Sequence, residues 1–328
     1  MAVLVTGGAG YIGSHVAYDL LSQGEKVIIV DNLCKGFRQL IPSEAIFYQA
    51  DLSDLQSIEN IFENENIQEI VHLAAFHILP ESIQEPIRYY DNNILGLLNL
   101  LKCCQKFSIK HFLFSSTAAV YSDPGTQLVH ENSTQNPKNP YGRSKLVGEW
   151  MLQDFCLVHP MNHLSLRYFN VAGASSDLQR GPLRPELTSL VKVVAEVAAG
   201  TREQFQITGT DYPTVDGTGV RDFIHVEDLA RLHSLGLFYL RKEKGNFAVN
   251  CGYGKGFSVR QVLQSMERVC GRKLPVVEAP RRPGDLAQVV TETKLLRSIF
   301  DWSPKFSDLD QICSSAYQWE LKKKEKQQ

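Results

Sequence analysis

Val3-Leu4-Val5-Thr6-Gly7-Gly8-Ala9-Gly10-Tyr11-Ile12-Gly13 carries an apolar run straight into a turn with glycines at 7, 10 and 13. Residues 2–6 read as a strand, and residues 11–23 continue with helical spacing. Glycine here makes the turn tight, lets backbone N–H groups approach a pyrophosphate, and lets helix and strand pack closely. The helix N-terminus then faces the anion. As the first strand-to-helix connection of the chain, this reads as a dinucleotide-binding turn, with Gly7, Gly10, Tyr11, Ile12 and Gly13 against the phosphates.

Outward from that turn, a second apolar run at 26–30 ends in Asp31-Asn32. A carboxylate there accepts from both adenosine ribose hydroxyls and repels a 2′-phosphate, so the cofactor expected is NAD rather than NADP. Further short runs at 46–49, 69–73 and 111–114 alternate with helical spacing at 56–64 and 93–107, and Asp51-Leu52 falls where the adenine would lie. This alternation implies right-handed crossovers and an α/β, Rossmann-type doubly wound parallel sheet. From about Val171 the rhythm weakens. Gly181-Pro182, Asp211-Tyr212-Pro213, Asp216-Gly217-Thr218-Gly219 and Arg281-Arg282-Pro283-Gly284-Asp285 read as loops, with helices at 187–199, 226–239 and 258–270. The expected division is a dinucleotide-binding domain over 1–170, with the chain returning to it around 222–252. A smaller α/β C-terminal substrate-binding domain is expected over 171–328.

Composition narrows the class. Charged residues are 21% of the chain and the net charge is −2, which supplies no field for nucleic acid or anionic lipid. The basic run Lys322-Lys323-Lys324 with Lys326 reads as a solvated helix end. The cysteines form no C-x-x-C pair, and Cys103-Cys104 lies in an apolar helical stretch, which points to reduced, buried thiols. No metal site is expected. No apolar run reaches the roughly 18 residues of a membrane span, and only Met1 precedes the first strand. The expectation is a cytoplasmic protein with neither membrane nor nucleic acid as partner.

Tyr141-Gly142-Arg143-Ser144-Lys145 sets Tyr141 and Lys145 four apart, on one face of a helix that Pro140 would start. A tyrosine hydroxyl is a poor base near its reference pKa of about 10. A lysine ammonium and a positive nicotinamide ring beside it would draw it toward neutrality. Tyr-x-x-x-Lys alone is a common surface pair. Here, however, Phe112-Leu113-Phe114-Ser115-Ser116-Thr117 ends a strand in hydroxyls. That is the carboxyl end, where open parallel sheets bind ligands.

The spacing of glycine turn, hydroxyl strand end and Tyr-x-x-x-Lys resembles that of the extended short-chain dehydrogenase/reductases. Over nearly the whole chain the sequence is similar to the UDP-glucose 4-epimerases. The likeness is carried by residues 6–15, 115–121 and 141–145, by Tyr89-Tyr90-Asp91-Asn92-Asn93 and by Arg167-Tyr168-Phe169-Asn170. It continues through 211–225 (DYPTVDGTGVRDFIH) and 279–285 (APRRPGD).

The resemblance implies that Tyr141 is the acid/base on the sugar 4-hydroxyl, that Lys145 holds the nicotinamide ribose and tunes Tyr141, and that Thr117 hydrogen-bonds the same hydroxyl. Leu73, Ala74, Ala75, Asn93, Ser115 and Tyr168 would stand on the cofactor side. Asn170, Ser189, Leu190, Arg221, Arg282 and Asp285 would hold the UDP part, the arginines as bidentate partners of the diphosphate. Hydride would leave C4 for NAD, the 4-keto sugar would turn about its pyrophosphate linkage, and hydride would return to the opposite face. A homodimer is implied as well. Four residues beyond Asp285, Val289 would stand beside the sugar. A tyrosine there would crowd an N-acetyl group, so valine implies UDP-glucose/UDP-galactose interconversion with some activity on the N-acetylated pair. The chain departs from the pattern at His77, where lysine is common, and at Thr208, where an aromatic is usual. It departs again at Ser189, where an amide or histidine is usual, and at Tyr121-Ser122-Asp123, which replaces Tyr-Gly.

Dehydratase and decarboxylating relatives keep an acid just after the Ser/Thr position, and Ala118-Ala119 can do neither job. A non-catalytic NAD sensor or scaffold has no use for Tyr141, Lys145 and Thr117. A reductase releasing its cofactor would need NAD(H) supplied. A 4-epimerase for another UDP-sugar, N-acetylhexosamine or pentose, stays open.

Overall fold

Alternate residues of the first strand face opposite sides, and each side found its own core. The structure, a computed structural model, describes residues 2–326 apart from Thr126, Lys244 and Pro283; Pro283 of the 281–285 loop therefore lies outside the described residues. Strands β1 (Ala2–Thr6), β2 (Lys26–Asp31), β3 (Ile46–Gln49), β4 (Ile67–His72), β5 (His111–Thr117) and β6 (Asn162–Tyr168) come in chain order. They are followed by β7 (Asn170–Ala172), β8 (Phe205–Thr208), β9 (Val220–His225) and β10 (Asn246–Cys251). The large sheet is parallel with order β3-β2-β1-β4-β5-β6-β10. The order reverses between β1 and β4, which opens the crevice where doubly wound sheets take ligands.

Helices α1 (Tyr11–Ser22), α2 (Leu55–Asn64), α3 (Leu79–Gln84), α4 (Pro86–Tyr90), α5 (Gly96–Phe107) and α6 (Pro140–Val158) belong to the first half. Further on come α7 (Leu190–Ala199), α8 (Val226–Lys242), α9 (Val259–Cys270), α10 (Lys294–Ile299) and α11 (Leu309–Glu325). Val3, Val5, Val27 and Ile29 pack with α1 and α8, while Leu4, Ile28 and Val30 pack with α2, α5 and α6. The first cluster runs on without a break into Val191, Leu263 and Ile312 of the C-terminal half. There β11 (Gly256–Ser258), β9, β7 and β13 (Gln288–Val289) form a small sheet, and β12 (Val276–Ala279) pairs with β8.

Several elements differ from the sequence reading. The helix expected over 93–107 begins as a π turn, Asp91–Leu95, before α5. The helix expected from 187 starts at Leu190, because Ser189 is extended with ψ 138°. β6 escaped notice because it alternates Leu164 and Leu166 with His163, Ser165 and Arg167, polar side chains that are nonetheless buried. The C-terminal lysines are not a solvated end. Lys322 Nζ donates to the Leu178 carbonyl at 2.8 Å, Lys324 Nζ donates to Ala199 at 3.0 Å, and Lys323 pairs with Glu320. Ala199 closes α7, whose last carbonyls lack intrahelical donors, and a cation satisfies them. The cysteines are all unpaired, and Cys34 is exposed where burial was expected. Among the described residues no helix is long and apolar enough to cross a membrane.

Candidate active site

A single cleft of about 1390 Å³ runs from Asp31 at one end to Asp285 at the other. That exceeds the roughly 300–1,000 Å³ usual for one small ligand. Gly7, Gly10, Tyr11, Ile12 and Gly13 form its floor at the switch point, with Leu73, Ala74 and Ala75 of the loop after β4 across from them. Gly7 has φ +71°, and a Cβ there would sit 2.7 Å from the Ala74 backbone nitrogen. Only glycine lets these two loops meet.

Asp31 closes β2 and accepts from the Ala9 N–H at 3.0 Å and the Leu33 N–H at 2.8 Å. Burial pushes its pKa up, against those two hydrogen bonds. Asn32 Nδ2 donates to Asp51 at 2.7 Å. Burial works against the Asp51 charge, but hydrogen bonds from Asn32 and Ser53 outweigh it and hold the pKa below the usual range. Asp51 and Leu52 complete this end of the wall. Glycine cradle, helix N-terminus and buried acid at the end of β2 together fit a dinucleotide with free ribose hydroxyls.

The middle of the cleft is lined by Thr117 at the end of β5, by Tyr141 and Lys145 on α6, and by Tyr168 at the end of β6. Asn139 caps α6 by accepting from the Gly142 N–H at 2.8 Å, and Pro140 opens the helix. Burial pushes the Tyr141 hydroxyl up to about 12, and a hydrogen bond with Thr117 pulls the other way. Burial also draws Lys145 down to about 7, opposed by Glu149 one turn along α6. The lysine charge was expected to dominate. In the folded protein desolvation dominates, because the covered first turns of α6 take water from both groups.

At the far end stand Asn170, Ser189, Leu190, Arg221, Arg282 and Asp285. Burial pulls the Arg221 pKa down, opposed by Asp285 and Tyr212. Arg281 stacks on the Tyr212 ring at 4.2 Å and donates to Asp211 at 2.6 Å, fixing this loop.

Three expected contact residues lie off the wall. Ser115 is fully buried and bonded to His233 at 3.0 Å. Asn93 donates to the Phe76 carbonyl at 3.1 Å and to Ser144 at 2.9 Å, and accepts from the Phe76 N–H at 2.9 Å; it anchors the loop after β4 rather than facing the cleft. Val289, on β13, packs on a small cluster of Val120, Tyr121, Val129 and Leu146. That cluster, drawn from the chain after β5 and from α6, takes its side chain away from the cleft.

A family model described as the NAD dependent epimerase/dehydratase family matches residues 3–252. The UDP-glucose 4-epimerase of Lacticaseibacillus casei is 43% identical over 97% of this chain and 96% of its own. The chain belongs to the NAD dependent epimerase/dehydratase family. Among solved members, the Brucella ovis UDP-glucose 4-epimerase in complex with NAD has TM-score 0.94 at 37% identity, over 98% of both chains. The UDP-Glc/GlcNAc 4-epimerase of Campylobacter jejuni has TM-score 0.86 at 43% identity, over 98% of this chain and 99% of its own.

Beneath Tyr141 and Lys145 lies a network that sequence reading missed. Glu149 is 2% exposed and pairs with Arg167 at 2.5 Å, and it also accepts from Ser116. Arg167 in turn donates to the Tyr121 hydroxyl at 2.8 Å. The four-residue step from Tyr141 to Lys145 to Glu149 was the available signal. Arg184, Tyr212 and the loop histidine His77 also line the cleft. His77 opens onto it, and the surrounding walls together with the Arg184 cation draw its pKa down to about 4. No sequence pattern marked Arg184.

Proposed function

We propose that the protein interconverts UDP-glucose and UDP-galactose by 4-epimerisation, with NAD held in the cleft. The observation that carries this is continuity: one cleft joins a dinucleotide turn, a Tyr/Lys/Thr centre and a pair of arginines. NAD, when bound, supplies a reversible hydride acceptor and a positive ring that favours the Tyr141 phenolate. Gly7, Gly10, Tyr11, Ile12, Gly13, Asp31, Asn32, Asp51 and Leu52 would hold its adenosine and phosphates. Lys145 and Tyr168 would face its nicotinamide half.

Tyr141 takes the proton of the sugar 4-hydroxyl and returns it, with Thr117 orienting that hydroxyl. Arg221 and Arg282 grip the diphosphate and Asp285 the uridine ribose. Binding energy remote from C4 thus leaves the hexose free to turn. The division of labour places the cofactor on 1–170, with the return at 222–252, and the nucleotide sugar on the remainder. The N-acetylated pair is a second reading, favoured by the likeness to the Campylobacter enzyme.

Purified protein given UDP-glucose or UDP-galactose, with no NAD added, should yield the 4-epimer. Failure to do so, or stoichiometric consumption of added NAD, would overturn the reading. A panel with UDP-N-acetylhexosamines and UDP-pentoses ranks the substrates. We also place the protein in the cytoplasm as a homodimer. Leu95 at the end of the π turn, Leu98 on α5 and Trp150 on α6 are exposed apolar residues, and α5 and α6 touch each other. Sedimentation of the wild type and of Trp150→Glu checks the dimer.

A further inference from the structure

Arg184 lies in the segment between β7 and α7 and lines the cleft, yet it is only 8% exposed. Its Nε and Nη2 have no hydrogen-bond partner, and its ion pair with exposed Glu186 is loose at 3.7 Å. A guanidinium shut off from water with unmade hydrogen bonds is unfavourable until an anion completes it. Its planar fork matches phosphate oxygens.

Two anionic groups would share this cleft, and the neighbours of Arg184 decide between them. Its charge acts on His77, in the loop after β4 that meets Gly7. Glu186, two residues on, feels Lys35 of the loop after β2 as well as Arg184. Both neighbours stand at the dinucleotide end. Arg221, Asp285 and Tyr212 act on one another at the opposite end.

The geometry points to Arg184 as a clamp on the pyrophosphate of the dinucleotide, reaching it from the substrate half of the chain. This rests on reading the cleft as an NAD site. The glycine turn and the α1 N-terminus offer only about half a positive charge, and His77 is neutral. Arg184 brings the full cation that a pyrophosphate calls for. The same segment leads into Ser189 and Leu190, so retention of the cofactor is tied to the half that grips UDP.

The test follows exchange of radiolabelled NAD out of purified holoprotein for wild type, Arg184→Gln and Arg184→Lys, with UDP affinity measured by calorimetry on the same samples. Arg184→Gln should exchange NAD about 10- to 100-fold faster, the loss expected for a charged hydrogen-bonded contact. Arg184→Lys should lie between it and wild type, and UDP affinity should stay within about twofold. Unchanged exchange overturns the clamp. So does a tenfold loss of UDP affinity with NAD exchange intact, which assigns Arg184 to the substrate. If Arg184→Gln does not fold, wild-type exchange in Arg184→Lys is the overturning result. A wild-type protein that neither carries nor takes up NAD removes the cofactor reading itself, and shows this before any variant is made.

Discussion

Tyr141 and Lys145 sit in one buried environment that moves their pKa values in opposite directions, the hydroxyl to about 12 and the amine to about 7. The proposed acid/base role of Tyr141 predicts that Tyr141→Phe keeps fold and NAD binding but loses at least about 10² in kcat, the scale of lost proton transfer. Turnover near wild type would exclude Tyr141 as that group. Lys145 gives a stability prediction. Its folded pKa lies below the unfolded value, so between about pH 7 and 10.5 the unfolded chain binds the extra proton, and stability rises with pH across that window. Thermal melts should show this rise, at most about 5 kcal/mol, and Lys145→Met should flatten it. Asp31, buried at the end of β2, predicts preference for NAD over NADP, and Asp31→Ala should narrow the gap in their dissociation constants. Equal affinities in the wild type would reduce Asp31 to a strand-ending residue.

Helix α6 shows how an element delivers these side chains. The Asn139 cap and Pro140 fix its start, and a Cβ on Gly142 would lie 2.4 Å from the Ala119 carbonyl oxygen. The first turn therefore rests directly on the chain leaving β5. Gly142→Ala should lift that turn and separate Tyr141 from Thr117, lowering kcat roughly tenfold or more while NAD stays bound. Wild-type kcat in that variant would show that the contact yields without moving the tyrosine. α9 does similar work at the other end of the cleft. Its capping-box Ser258 also donates to Asp216, tying the 211–219 loop to a rigid helix.

For the whole molecule, the cleft lies between parts of the chain that share one core, so ligands should stabilise the entire fold. UDP at about 100 times its dissociation constant is worth about 2.7 kcal/mol. It should raise the melting temperature by several degrees. Arg221→Ala combined with Arg282→Ala should abolish the rise, and a full rise in the double variant would detach these arginines from the diphosphate.

The local pattern 3–13 and the alternation that follows it were enough to specify strand, turn and crossover, because glycine placement and side-chain period act over a few residues. Likewise, Tyr141 and Lys145 were legible because four residues make one helical turn. Val289, Asn93 and Ser115 were placed by analogy along the chain, and contacts with the cluster of Val120 and Leu146, the loop after β4 and His233 of α8 respectively turned them elsewhere. β6 was hidden because its polar side chains are buried with its apolar ones, Arg167 by pairing with Glu149 of α6. The same holds for the pKa values and for Arg184. Desolvation and unmade hydrogen bonds belong to no residue alone, and arise only when folding closes walls around it.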